Sequence, residues 1–129
     1  LDAVIFNLTD AVAAGDFDKA FSVLSDLLHM QEQPIPLLAG LGRNLRQLYA
    51  ARLAVERKKS GSDLMEICGI RSTYPAEKLM RSARRFSLDW CRRAVVRCEE
   101  ADLAMKSTGG DGRNVLVGLL LELSAKKPA

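Results

Sequence analysis

With 129 residues, 48% of them hydrophobic and 27% charged, the chain has the material of one domain with one core, and a disordered segment is excluded. Nineteen Lys and Arg against 16 Asp and Glu leave a charge of +3, too small to imply a polyanion partner unless the cations cluster. Cys68, Cys91 and Cys98 form no CxxC pair; with a single His and 5% aromatics they argue against a zinc site, a disulfide framework and most catalytic kits, and they predict a reducing, cytoplasmic setting.

Apolar residues recur at helical spacing almost everywhere and alternating β-branched runs are missing, so the fold class is all-α, a single compact bundle of about six to seven helices. The longest apolar run, Val115 to Leu121, is broken by Gly118 and falls far short of the ~20 residues of a membrane span. The opening LDAVIFNLTDA has neither Met nor a basic leader, which predicts a segment from inside a longer polypeptide, without a signal peptide.

In the first helix Leu1, Val4, Ile5, Leu8 and Val12 make one stripe, and Gly15 stands where a left-handed residue ends it. Asp16 then caps a second helix with Phe17, Ala20, Phe21, Leu24, Leu27 and Leu28 inward, antiparallel to the first and stopped by Pro34 and Pro36. A long third helix is predicted from about Pro36 to Lys58, with Leu38, Leu41, Leu45, Leu48 and Val55 on one face and Arg52 interrupting it. Ser62 or Asp63 is expected to cap a short helix over Leu64, Met65 and Ile67, ended by Gly69. Thr73 to Phe86 reads as a fifth helix with Leu79, Met80, Ala83 and Phe86 inward. Ser87 restarts the chain for a sixth, marked by Leu88, Cys91, Val95, Cys98 and Met105 and running to about Ser107. Thr108 to Gly112 is a loop, and the last helix, NVLVGLLLEL, is apolar nearly all round, which predicts that other helices surround it, with Lys126-Lys127-Pro128 ending it in solvent.

Few residues suggest chemistry. Gly40-Leu41-Gly42 opens like a dinucleotide fingerprint, but Leu45 occupies the third glycine position and no strand precedes it, so the glycines predict a close helix crossing. GGDGRN lacks the Gly-Lys-Ser/Thr order of a phosphate loop. His29 has no companion ligand and fits a helix C-terminus; Cys91 and Cys98, about 10 Å apart along one face, are core thiols. Glu99 and Glu100 lack a base or apolar pocket to make them a working acid pair. Continuing the stripe of the sixth helix through Cys98 lands on Asp102, which predicts an inward carboxylate held by Lys106, Arg43 or Arg46 as a structural ion pair. The densest cationic cluster, Arg81, Arg84, Arg85, Arg92, Arg93 and Arg97, is a candidate surface for nucleic acid or an acidic partner, although Trp90 is the one aromatic among them.

Taken in order, several stretches resemble the C-terminal domain of the delta subunit of the bacterial DNA polymerase III clamp loader. NLTDAVAAGDFDKAFSVLSDLL is similar to that family's first hairpin, with Asp16, Lys19 and Ala20 in register, and EQPIPLLAGLGRNLRQLYAARLA resembles its Pro-led long helix with Arg43 and Arg46. RRFSLDWCRRAVVRCEEADLAMKSTG resembles its Arg-Phe-Ser junction and the Asp102–Lys106 pairing, while STYPAEKLM departs from a Phe-containing version near Tyr74. The resemblance implies a collar-like domain over residues 1–129, with the family's N-terminal AAA-type module and lid absent from this chain. It implies a non-catalytic scaffold, without cofactor, that assembles delta with motor (gamma/tau-type) and delta-prime subunits into the clamp-loader ring for DNA replication. Contact with the sliding clamp belongs to the missing module, and no membrane is involved.

Three other readings compete. The Arg81–Arg97 surface suits a nucleic-acid-binding module that holds DNA weakly, and AAGDFDKAFSVL is similar to the turn of a tetratricopeptide-type adaptor, although its ~34-residue period does not recur. An enzyme with an unrecognised site has no motif behind it.

Overall fold

The computed structural model describes the backbone of residues 2–107 and 111–125 and the side chains from Ile5 onward. Seven helices follow in order: α1 (Asp2–Ala13), α2 (Phe17–His29), α3 (Pro34–Glu56), α4 (Gly61–Cys68), α5 (Thr73–Ala83), α6 (Leu88–Ser107) and α7 (Gly112–Ala125). No strand occurs among the described residues, and none of their helices is long and apolar enough to cross a membrane. Leu1, the side chain of Val4, the loop residues Thr108 to Gly110 and the Lys126-Lys127-Pro128 tail lie outside what is described.

The helix ends show how local chemistry punctuates the chain. Gly15 is left-handed at φ 72°, and the N–H groups of Gly15 and Asp16 donate to the carbonyls of Val12 and Ala11, closing α1. The Asp16 carboxylate accepts from the Lys19 N–H at 3.1 Å and opens α2. α2 ends before the prolines: Gln31 itself adopts φ 68°, and Gln31 and Glu32 donate to Leu28 and Leu27. Pro34 therefore starts α3 two residues earlier than Pro36, in the first turn, where a missing N–H costs nothing. Lys58, at φ 55°, closes α3 in the same manner as Gln31 closes α2. Ser60 rather than Ser62 or Asp63 caps α4, in a reciprocal box in which Asp63 accepts from the Ser60 N–H at 2.9 Å. Gly69, at φ 67°, ends α4. α5 stops at Ala83, three residues short of Phe86, and Ser87 Oγ accepts from the Trp90 N–H to open α6.

α3 is the central rod, packed by α1, α4, α5, α6 and α7. Leu37, Leu38, Leu41, Leu45 and Leu48 are buried on it, each contributing roughly 2 kcal/mol relative to exposure. Two glycines let neighbours approach. A methyl on Gly40 would stand 2.5 Å from Ile5 Cγ2 of α1, and one on Gly42 would stand 3.2 Å from Cys98 Sγ of α6. α6 runs antiparallel to α3, with Cys98 at Gly42 and Cys91 within the field of Arg52. Arg52 does not break the inner face: it lies half-buried at the edge and bonds Glu56 at 2.7 Å. At one end of the bundle Trp90 stacks on Phe86 with ring centroids 4.4 Å apart, meets Phe17 edge-on and donates its indole N–H to the Leu123 carbonyl, tying α2, α6 and α7 together.

α7 is not surrounded. Leu116, Leu119, Leu120 and Leu123 are buried against α2, α3 and α6, but Val117 is 37% and Leu121 54% exposed, so the fully apolar pattern does not mean full enclosure here.

A pair of glycine substitutions tests the crossing geometry. Nothing stands within 4 Å of a methyl added to Gly118, so Gly118→Ala gains helix propensity worth up to about 1 kcal/mol and raises the thermal midpoint by about 3 °C. Gly40→Val has to displace Ile5 and lowers the midpoint; a circular-dichroism melt in which both variants shift the same way contradicts the packing.

Candidate functional site

The sequence-predicted ionic residues separate into two environments. At the α3–α6 crossing, Gly42 and Cys98 floor an open cleft of about 470 Å³ bordered by Arg43, Arg46, Glu99 and Asp102. Lys106 Nζ donates to Asp102 Oδ2 at 2.9 Å, one helical turn away. The carboxylate is not inward, however: its side chain is 47% exposed, and neither Arg43 nor Arg46 bonds it. The reason is angular. At about 100° per residue the buried arc of α6 runs from Trp90 through Ala101, Ala94, Met105 and Cys98 to Cys91, and Asp102 falls just outside its Cys91 edge.

The cationic cluster also divides. On α6 each arginine is answered within the chain: Arg92 and Arg93 share Asp89 at 2.8 and 2.9 Å, and Arg97 bonds Glu100 and bridges to Glu122 of α7. Hydrogen bonds from Arg93 and Arg92 hold the Asp89 carboxyl below the usual range, and Arg97 does the same for Glu122 while its own guanidinium is raised. On α5 the arrangement is open. Arg85 donates to the Ala13 carbonyl and to Ser82 Oγ, whereas the side chains of Arg81 and Arg84 are exposed and make no ion pair or hydrogen bond among the described residues. Trp90 is buried and stacks on no ligand face; the aromatic in solvent beside the open arginines is Tyr74, 69% exposed. Its spacing to Lys78 and Arg81, four and seven residues, was a usable sign that the cluster extends toward the start of α5.

His29 is exposed at the C-terminal turn of α2. Among the described residues no three His, Cys, Asp or Glu side chains stand together as a metal site. Cys91 and Cys98 are free thiols whose burial pushes each pKa up to about 11, and partial burial also raises that of Cys68. Because the folded values lie above the ordinary thiol value of about 9, these thiols contribute stability that is full below about pH 9 and fades as pH rises through 11.

Two outcomes follow from this geometry. Asp102→Asn costs less than about 1 kcal/mol in a denaturant titration at neutral pH, because the pair is solvated; a larger loss means a buried brace. A disulfide-exchange reagent at pH 8 modifies Cys68 first, while Cys91 and Cys98 react on the timescale of unfolding; equal rates for all three contradict the core assignment.

Comparison with known proteins adds lineage to geometry. Among solved structures the chain is similar to the Bacillus subtilis DNA clamp loader delta protein (YqeN), with TM-score 0.83 and 21% identity, over 95% of this chain and 36% of that one. A likeness at that identity establishes the fold, and the chain spans about a third of that protein's length. A search of curated proteins gave no match. The model of the family described as DNA polymerase III delta subunit, C-terminal domain, matches residues 2–123, nearly the whole chain. The chain belongs to the family of C-terminal domains of the DNA polymerase III delta subunit.

Proposed function

We propose that the chain, over residues 1–129, is a collar-type oligomerisation domain: a non-catalytic scaffold that joins a delta subunit to motor and delta-prime subunits of a clamp loader, with AAA-type and lid modules lying outside it. Family membership supports this, and so does one structural observation. Val117 and Leu121 stand one turn apart on the outer face of α7, exposed while Leu116, Leu119, Leu120 and Leu123 are buried. Leu103 on α6 is likewise 67% exposed. Covering such side chains stabilises an interface by roughly 1 kcal/mol each, so a shared apolar face is where lateral docking gains most.

The mechanism is positional. A bundle pinned by α3 and by the Trp90 joint transmits little deformation, so docked neighbours stay assembled while attached modules move. The Asp102–Lys106 pair, with Arg43 and Arg46 beside it, belongs in this reading to the polar rim that fixes orientation, not to the core.

Mixing the chain with motor and delta-prime subunits of the same organism, then measuring mass by light scattering, is expected to give a complex containing all three. The double variant Val117→Lys, Leu121→Lys keeps its thermal midpoint within a few degrees and loses the complex. Absence of assembly by the unaltered chain overturns the scaffold reading.

A further inference from the structure

We propose that the groove between α6 and the C-terminal end of α7 binds an acidic peptide segment of another protein, with one bulky apolar side chain over Trp90 and a neighbouring carboxylate on Arg92 and Arg93. The inference stands on this groove alone and does not depend on the scaffold reading, because none of Val117, Leu121 and Leu103 lines it.

Shape comes first. The groove encloses about 430 Å³, within the range of ligand sites, and its surface is mostly apolar. Trp90, Ala94 and Leu123, all buried, make its floor, and Val96 stands in its wall 50% exposed, an aliphatic outside the core cluster. Because the groove is open, it covers one face of an occupant and not the whole of a free small molecule, whose sites usually bury most of the ligand. A peptide suits such a trough: one side chain anchors in the apolar floor while polar contacts close around it.

Charge selects an acidic peptide. Of the charged side chains that line the groove, Arg92, Arg93 and Arg97 are cations and Glu122 is the anion. Arg97 is already engaged, with Glu122 inside the groove and Glu100 beyond it. Arg92 and Arg93 share the carboxylate of Asp89, at 2.8 and 2.9 Å, and Asp89 does not line the groove, so one positive charge is left over at that end. Arg93 gives its Nε to Asp89, and its two terminal NH₂ groups make no hydrogen bond among the described residues, which leaves donors for a second carboxylate. Both side chains are about half exposed, so an incoming acid meets them without rearrangement of the bundle. The chain's own continuation after Ala125, Lys126-Lys127-Pro128-Ala129, is cationic and offers like charge to such a rim, which sets it aside as the occupant.

The test is isothermal titration calorimetry of the chain with the acetylated, amidated pentapeptide Gly-Glu-Phe-Glu-Gly at roughly 50 mM salt, with Trp90 emission recorded in parallel. Expected are a dissociation constant of roughly 10 to 500 μM and an emission change that saturates with the heat, since Trp90 floors the groove. Replacing the peptide's Phe by Ala, or both Glu by Lys, weakens binding at least about tenfold. Val96→Asp and Arg93→Glu in the protein each do the same, whereas Arg81→Ala, Arg84→Ala, which removes cations from a different helix, leaves the constant within about twofold. None of the substituted residues is buried, and circular dichroism checks the fold of each variant. The proposal is overturned if the peptide does not bind, if it binds with Trp90 emission unchanged, if either groove variant binds like the unaltered chain, or if free 4-phenylbutyrate binds as tightly, which makes the groove a small-molecule pocket. It is overturned as well if Val96→Asp abolishes assembly with motor and delta-prime subunits, or dissociates a dimer of the chain alone, because the groove is then a contact between subunits. Should the unaltered chain bind the peptide and yet fail to assemble, the scaffold reading falls and this one stands.

Discussion

Enclosure of one rod by five neighbours is the constraint from which the rest of this fold follows. α3 has to be apolar toward several directions at once, yet helices cannot surround a helix of uniformly large side chains without leaving gaps. Its leucines fill the broad contacts, and Gly40 and Gly42 mark the places where α1 and α6 come closest. The glycines weaken the isolated helix, a cost of roughly 1 kcal/mol each that the gained contacts offset. Later elements then have limited freedom: α6 lies antiparallel along the cleared side, and α7 closes over what α2, α3 and α6 still expose.

Much of this was legible in residue order because local chemistry dictated it. Gly15 and Asp16, Gly69, and Ser87 each do at a helix boundary what their backbone freedom or side-chain oxygen suits them to do, and the inward stripes of α3 and α6 contain the main buried residues. Other boundaries carried no such mark. Gln31 and Lys58 adopt left-handed backbone without being glycine, stabilised by the paired carbonyl bonds they complete, so neither composition nor periodicity reveals them. Asp102 and α7 were misjudged for one shared reason. Periodicity gives the direction of a stripe to within tens of degrees, and whether a residue at its border or a fully apolar helix is covered depends on which helices the tertiary fold happens to supply.

The surface divides its labour by how charges are answered. Where α6 and α7 meet, cations and carboxylates are matched within the chain, and the exposed Val117 and Leu121 stand elsewhere on α7, off that seam. On α5 the cations outnumber their partners and an aromatic replaces the aliphatics. Two faces of one small bundle therefore present different chemistries, one apolar and one cationic. The cluster that looked continuous along the sequence from Arg81 to Arg97 is interrupted in space by the turn at Ser87 and by the local acids of α6.

The Trp90 joint has a practical corollary. The chain contains one tryptophan, and it is buried against Phe86 and Phe17 with its indole bonded to the end of α7. Its emission is thus an intrinsic optical gauge of a single corner, where α2, α6 and α7 converge. Loosening of that corner is therefore readable in the chain's own emission, without any attached dye.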